Sequence, residues 1–329
     1  MSRIKFILLL ICFIAISAGI ACAAEPLAKH VVLISFDGLR PDAITALGRE
    51  KASAFYKMIE EGASTLNART DYDYTVTLPN HTCMVTGYPV LGAHGHQVTE
   101  NSLVDKSVHD FAGRHVFSVF ETLRQNQRRS VMLASKPKFN IYEHSFPMDS
   151  ASISDYDDSK TLKAFDKLVQ EGLPDFVFMH FSNPDHVGHE QGWDINPNSP
   201  YMKQVEILNE ALQKIIQLID SNNSLNDSTV IIVTTDHGGE GKGHGDNSNP
   251  LDYTIPFIIW GKAVARGEDL YKINSDRRTD PLKERINNDQ SGQPIRNGDA
   301  ANLAVSLLGL ASIEGSTIGF DKPLKIKKD

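Results

Sequence analysis

The sequence predicts an α/β sandwich built around a largely parallel sheet, and three observations carry that expectation. Short apolar runs rich in Val, Ile and Phe recur at 31–36, 130–134, 175–181, 229–234 and 255–259. They are continuous rather than alternating in polarity, which suits strands covered on both faces. Helix-period segments at 51–61, 79–86, 116–126, 159–171 and 202–220 fall between them. Strand alternating with helix along a whole chain is the pattern of a parallel sheet with helices packed on it. No Gly/Ser linker, repeat or composition break divides the 329 residues, so residues 25–329 are expected to form one domain.

The chain opens with Arg3 and Lys5, an apolar run from Phe6 to Ile20, and Ala21-Cys22-Ala23-Ala24. Basic, apolar and small-residue parts in that order predict a secretory signal peptide over 1–24, with an uncleaved anchor as the alternative. The mature protein is then exported, to a periplasm or the medium, and no later run is apolar for long enough to span a bilayer. Cleavage removes Cys12 and Cys22 and leaves Cys83, so the exported fold has no internal disulfide and relies on its core. A formal charge of −8 gives no electrostatic reason to expect a nucleic acid polymer. A small phosphorylated substrate is compatible with it, because local metal ions outweigh the global sign. The sequence carries no signal for oligomeric state.

Taken in order, the first strand, 31–36, ends at Asp37-Gly38. A carboxylate there is a candidate hard metal ligand or, more blandly, a helix cap; Asp42, after Pro41, is expected to cap the segment that follows. In Thr77-Leu78-Pro79-Asn80-His81, proline suits the first turn of a helix running to about Thr86. The Thr77 hydroxyl then lies at the positive end of that helix, where an alkoxide or a phosphate oxygen is favoured. Thr77 is therefore a candidate nucleophile, with an ordinary N-cap threonine as the alternative. Segments 140–156, 192–200 and 262–298 read as loops or cap excursions, polar or rich in Pro, Asn and Ser. Asp299 is expected to cap a last helix through Leu308.

The other chemistry-bearing residues follow later strands. Asp185 and His189 are four apart, so a helix presents both on one face while His186 points elsewhere, and Gly188 is expected to keep that face open. Asp236 and His237 follow the run 230–233, and His244 comes seven residues later between glycines. In an open parallel sheet, ligands bind beyond the carboxyl ends of the strands, which places Asp37, Asp185 and Asp236 together. Three Asp and three His suffice for two divalent ions, with zinc expected and manganese or iron as alternatives. Paired ions are the recurrent device for in-line displacement at phosphorus.

These residues resemble the alkaline phosphatase superfamily, in its type I phosphodiesterase and nucleotide pyrophosphatase branch. The resemblance runs from about Val31 to Gly261 through Asp-Gly-Leu-Arg at 37–40, Thr-Leu-Pro-Asn-His at 77–81, Asp-x-x-Gly-His at 185–189 and Asp-His-Gly-Gly at 236–239. It implies an alkaline-phosphatase-like α/β/α sandwich with two zinc ions. Asp37, Asp236 and His237 would hold the ion that activates Thr77, and Asp185, His189 and His244 the other. Thr77 would attack phosphorus, giving a phosphothreonine that water hydrolyses. The implied substrates are phosphodiesters or pyrophosphates of small molecules.

Two features depart from the family pattern: the spacing of the phosphate-binding asparagine, and His244, which lies close where the larger nucleotide pyrophosphatases carry their last ligand far downstream. An asparagine that binds a phosphate oxygen usually follows a His-Gly pair; here Asn101 follows His94-Gly95 at a longer spacing and is the candidate. Lys136 and Lys138 resemble a basic pair of monoesterases and phosphonoacetate hydrolases, which makes a phosphomonoesterase or phosphonatase the alternative. A non-catalytic metal-binding protein is the remaining one. Tyr88, Tyr142, Trp193 and Tyr253 are candidates for stacking on a leaving group, against the alternative of packing.

Overall fold

The computed structural model describes residues 25–328; the expected signal peptide, with Cys12 and Cys22, lies outside the described residues. One eight-stranded sheet carries the architecture. Its strands are β1 (His30–Phe36), β2 (Ala63–Arg69), β3 (Ser130–Ala134), β4 (Ser150–Ile153), β5 (Phe176–Phe181), β6 (Thr229–Thr234), β7 (Thr254–Trp260) and β8 (Glu268–Asp269). They lie in the order β4-β3-β5-β1-β6-β7-β2-β8. β4, β3, β5, β1 and β6 are mutually parallel, and β7 runs antiparallel to both β6 and β2. The result is an α/β/α sandwich with a mixed, mainly parallel sheet.

Alternate side chains of the central strands feed two cores. Val31 and Leu33 of β1 join Phe178, Ile232, Met84 and Leu303 on one face, while Val32 and Ile34 join Met179, Val233, Leu212 and Phe55 on the other. The period-2 geometry of a strand makes this division, and it explains why these runs need apolar residues at every position. The helices Pro41–Lys51, Ser53–Glu61, Asp158–Glu171 and Pro200–Asp220 cover the second face. Thr77–Thr86 and Asp299–Leu307 lie on the first. Among the described residues no helix is long and apolar enough to cross a membrane.

Several local expectations are corrected. The segment 140–156 is not a loop: it holds the helix Asn140–Ser145 and the edge strand β4. β2 went unread because Ala-Ser-Thr-Leu-Asn-Ala-Arg has neither an apolar run nor clean alternation, and its antiparallel pairing with β7 supplies what local pattern lacks. Asp42 is no cap; the helix begins at Pro41 after Arg40, and the Asp42 carboxylate binds the Arg40 guanidinium instead. Asp299 is the first residue of its helix, after Gly298 at the cap. The excursion 262–298 is tied to the chain that leads to Thr77. Arg285 donates to the carbonyls of Asp71 and Tyr72, Asn288 to the Asp71 carboxylate, and Asn297 to Asn80 Oδ1.

Candidate metal centre and nucleophile

The site lies at the carboxyl ends of the three central strands. Phe36 of β1 is in register with Phe181 of β5, and Ser35 with Thr234 of β6. Each chain therefore leaves the sheet at the same height. Asp37 is the next residue after β1, Asp236 the second after β6, and Asp185 sits in the first turn of the helix Asn183–Gln191 that follows β5. Asp158 holds that helix start in place by accepting the backbone N–H groups of Ser182 and Asn183 at 2.8 and 3.0 Å.

Six predicted side chains converge there as two groups. His237 Nε2 lies 3.5 Å from Asp37 Oδ1 and 3.1 Å from Asp236 Oδ2. His189 and His244 place their Nε2 atoms 3.4 and 3.5 Å from Asp185 Oδ1 and 3.1 Å from each other. His237 Nε2 is also 3.8 Å from Asp185 Oδ1, so the groups adjoin. Asp37, Asp236 and His237 are fully buried, whereas His189 is exposed at the rim.

The donor atoms fit metal ions. Asp37 Oδ1, Asp185 Oδ1, Asp236 Oδ2 and His237 Nε2 are buried and have no hydrogen-bond partner among the described residues, an arrangement costly unless a ligand is to be held. Each imidazole spends its Nδ1–H on a backbone carbonyl: His237 on Gly238, His244 on Thr75 and His189 on Lys242. Each Nε2 is thereby oriented as a donor, the usual support of a metal-bound histidine. The field is strongly negative. Burial alone would lower the His237 pKa, but Asp236, Asp37 and Asp185 push it up to about 9. Two candidate divalent-metal sites are therefore present, Asp37–Asp236–His237 and Asp185–His237–His244, which share His237; His189 lies beside the second, 3.4 Å from Asp185 Oδ1.

Thr77 is the first residue of the helix Thr77–Thr86, whose cap position is taken by Val76, so the N-cap alternative does not apply. Its buried hydroxyl lies 3.5 Å from Lys136 Nζ. Lys136 also donates to Asp37 Oδ2 and Asp185 Oδ2, at 2.6 Å each, and so links one carboxylate of each group to the threonine. Burial opposes its charge, yet Asp37, Asp185 and Asp236 raise its pKa. Asn101 is brought to the same place despite its unusual spacing: Oδ1 accepts the Leu78 N–H and the Lys138 ammonium, both at 3.0 Å. Among the described residues, that assignment leaves the Asn101 NH2 available as a donor. Burial and the neighbouring Lys136 lower the Lys138 pKa to about 8.

Two supporting histidines were missed by sequence reasoning. His180 of β5 is buried, takes the Ser135 N–H on Nδ1 at 3.3 Å, and donates from Nε2 to Asp37 Oδ2 at 2.9 Å. His81 bridges Ser35 Oγ and the Thr77 carbonyl at 2.7 and 2.8 Å, and burial lowers its pKa to about 4. The available signal was a lone histidine inside an apolar strand, and one four residues after the nucleophile. One expectation fails here. Gly188 does not keep a face open, because the Trp193 ring fills it, and a Cβ on Gly188 would come within 2.4 Å of that ring. Tyr88, Tyr142, Trp193 and Tyr253 are all buried packing residues and none is presented for stacking on a ligand. His186 points to Glu190 at the surface, as expected.

A sequence-family model described as type I phosphodiesterase / nucleotide pyrophosphatase matches residues 31–290, spanning every ligand candidate above. The chain belongs to that family. Among curated relatives it is 26% identical over 263 residues to GPI ethanolamine phosphate transferase 2 of Candida albicans, covering 77% of this chain and 28% of that one. It is 23% identical over 256 residues to human ectonucleotide pyrophosphatase/phosphodiesterase family member 5, covering 71% and 50%. The chain thus spans half or less of these relatives' length. Murine ectonucleotide pyrophosphatase/phosphodiesterase 5, solved with AMP, superposes with a TM-score of 0.65 at 15% identity over 90% of this chain and 100% of that one. An alkaline phosphatase, PafA, superposes with a TM-score of 0.65 at 13% identity over 91% and 99%. These likenesses define the fold.

Proposed function

We propose that this protein is a two-metal phosphoester hydrolase of small molecules, working through a phosphothreonine on Thr77. The observation that carries the reading is the set of four orphaned donor atoms beside a helix N-terminus that presents Thr77. When bound, two zinc ions would supply Lewis-acid stabilisation of the entering and leaving oxygens. Asp37, Asp236 and His237 would hold one, and Asp185, His189 and His244 the other. The chain's own residues do the rest. Lys136 holds the Thr77 hydroxyl against the carboxylates, the helix N-terminus favours negative charge on the transferred group, and the Asn101 NH2 and Lys138 receive its non-bridging oxygens. Phosphorus bonds to Thr77 Oγ1 as its bond to the leaving oxygen breaks, and the threonine proton departs with that leaving group; water then attacks phosphorus and breaks the Thr77 Oγ1–P bond, restoring the hydroxyl and releasing a phosphomonoester from a diester or inorganic phosphate from a monoester.

Family relatives named for pyrophosphatase and phosphodiesterase activity support diester or pyrophosphate substrates. A second reading, preference for phosphomonoesters, is favoured by Lys138. Its half-buried ammonium meets Asn101 beside the residue that follows Thr77, and a terminal phosphate carries the extra negative charge that such a cation would meet. Hydrolysis of bis-p-nitrophenyl phosphate and p-nitrophenyl phosphate by the zinc-loaded mature chain, with Thr77→Ala as control, tests both. Turnover of neither ester above the control would defeat the proposed function.

A further inference from the structure

The Trp193 indole touches every loop that delivers a candidate metal ligand. Its Nε1–H donates to the Gly38 carbonyl, next to Asp37, at 2.9 Å. Its ring lies against Gly188 in the Asp185–His189 turn and against Gly239 after Asp236-His237, and a Cβ on either glycine would come within 2.4 Å of it. The rings of His189 and His244 meet it edge-on at 5.2 and 5.7 Å between centroids. Its own backbone N–H donates to Gly241 in the His244 loop at 2.8 Å. Arg40 completes the clamp, donating to the carbonyls of both Trp193 and Gly239. The indole is 3% exposed, so it is not offered to a substrate.

We propose that Trp193 is the positioning residue that sets the spacing of the two ligand groups, and that Gly188 and Gly239 are glycines because only a bare backbone lets its ring lie between their loops. No local hydrogen bond joins the Asp185–His189 turn to the Asp236–Gly239 turn by itself; a rigid planar side chain packed on both fixes their separation. The inference rests on the reading of the six Asp and His side chains as metal ligands.

The chain has two tryptophans, so emission can be assigned. Zn2+ is titrated into wild type, Trp193→Phe, Trp260→Phe and Gly188→Ala against a chromogenic chelator, with tryptophan emission and far-UV circular dichroism recorded. Expected are a Zn2+-dependent emission change in wild type and Trp260→Phe that is lost in Trp193→Phe. Zn2+ affinity should fall about 10–100-fold in Trp193→Phe, the range for groups that orient metal ligands. Gly188→Ala keeps the indole but displaces it, and should lose affinity similarly while still folding. At saturating Zn2+, kcat should fall in both with KM within about two-fold. Folded Trp193→Phe or Gly188→Ala binding Zn2+ within about two-fold of wild type would overturn the inference, and so would a wild-type emission that Zn2+ leaves unchanged. If wild type itself takes up no Zn2+, the ligand reading fails and the inference falls with it.

Discussion

Replacing Lys138 by methionine should separate the two substrate readings. Its ammonium lies 2.9 and 3.0 Å from Asn101 O and Oδ1, and Asn101 Oδ1 in turn lies 3.0 Å from the backbone nitrogen of Leu78. A phosphoryl group in reach of Thr77 is thus also within reach of this cation. A hydrogen bond to a charged group contributes about 1.5–3 kcal/mol, which at about 1.4 kcal/mol per decade is roughly 10–150-fold in kcat/KM. A phosphomonoester dianion carries twice the charge of a diester, so the full loss is expected for p-nitrophenyl phosphate and about half of it, in kcal/mol, for bis-p-nitrophenyl phosphate. The assay is kcat/KM for both esters with zinc-loaded wild type, Lys138→Met and Lys138→Arg. Equal losses on the two esters would refute the argument that Lys138 reads the second charge. The pH profile gives an independent check. Burial and Lys136 hold the Lys138 pKa down to about 8, so the group is charged below that pH and neutral above it. Monoester kcat/KM should fall as pH rises through about 8 in wild type, and the limb should vanish in Lys138→Arg, whose guanidinium keeps its proton.

Thr77→Ala should abolish turnover of both esters while leaving zinc uptake intact, as measured by chelator competition; persistent turnover would remove Thr77 from the nucleophile role. His180→Phe removes the donor to Asp37 Oδ2 and should weaken zinc binding about 10–100-fold, and unchanged affinity would make His180 a mere packing residue. Asp158→Ala deletes the acceptor for two N–H groups at the start of the Asp185 helix and should cost about 1–2 kcal/mol, read as a lower denaturant midpoint. Zinc at about 100 times its dissociation constant should stabilise the wild type by about 2.7 kcal/mol over a chelated sample. A melting temperature indifferent to chelator would contradict the fit of the orphaned donors.

The central strands and the positions of Asp37, Asp185 and Asp236 were legible because both signals are local. Strands covered on two faces need unbroken apolar runs, and each acid stands at the end of one. β2 and β4 were not legible, since a strand held by its neighbours' hydrogen bonds need carry no pattern of its own. Asn101 was legible only by resemblance, and its approach to Leu78 depends on how the loop 88–107 folds. The four aromatic candidates show the opposite failure: an aromatic residue looks the same in sequence whether it faces a ligand or the core.

By itself, then, the sequence determined the central parallel strands, the reaction class they suit and the residues able to hold metal, because periodicity and donor type are properties of short segments. Only the tertiary structure decided which oxygens and nitrogens are left without partners, where the Lys136 and Lys138 charges point, and what Trp193 touches. Those follow from side chains far apart in the chain meeting at one end of the sheet, and hydrogen-bond satisfaction, desolvation and packing are all properties of that meeting rather than of any segment within it.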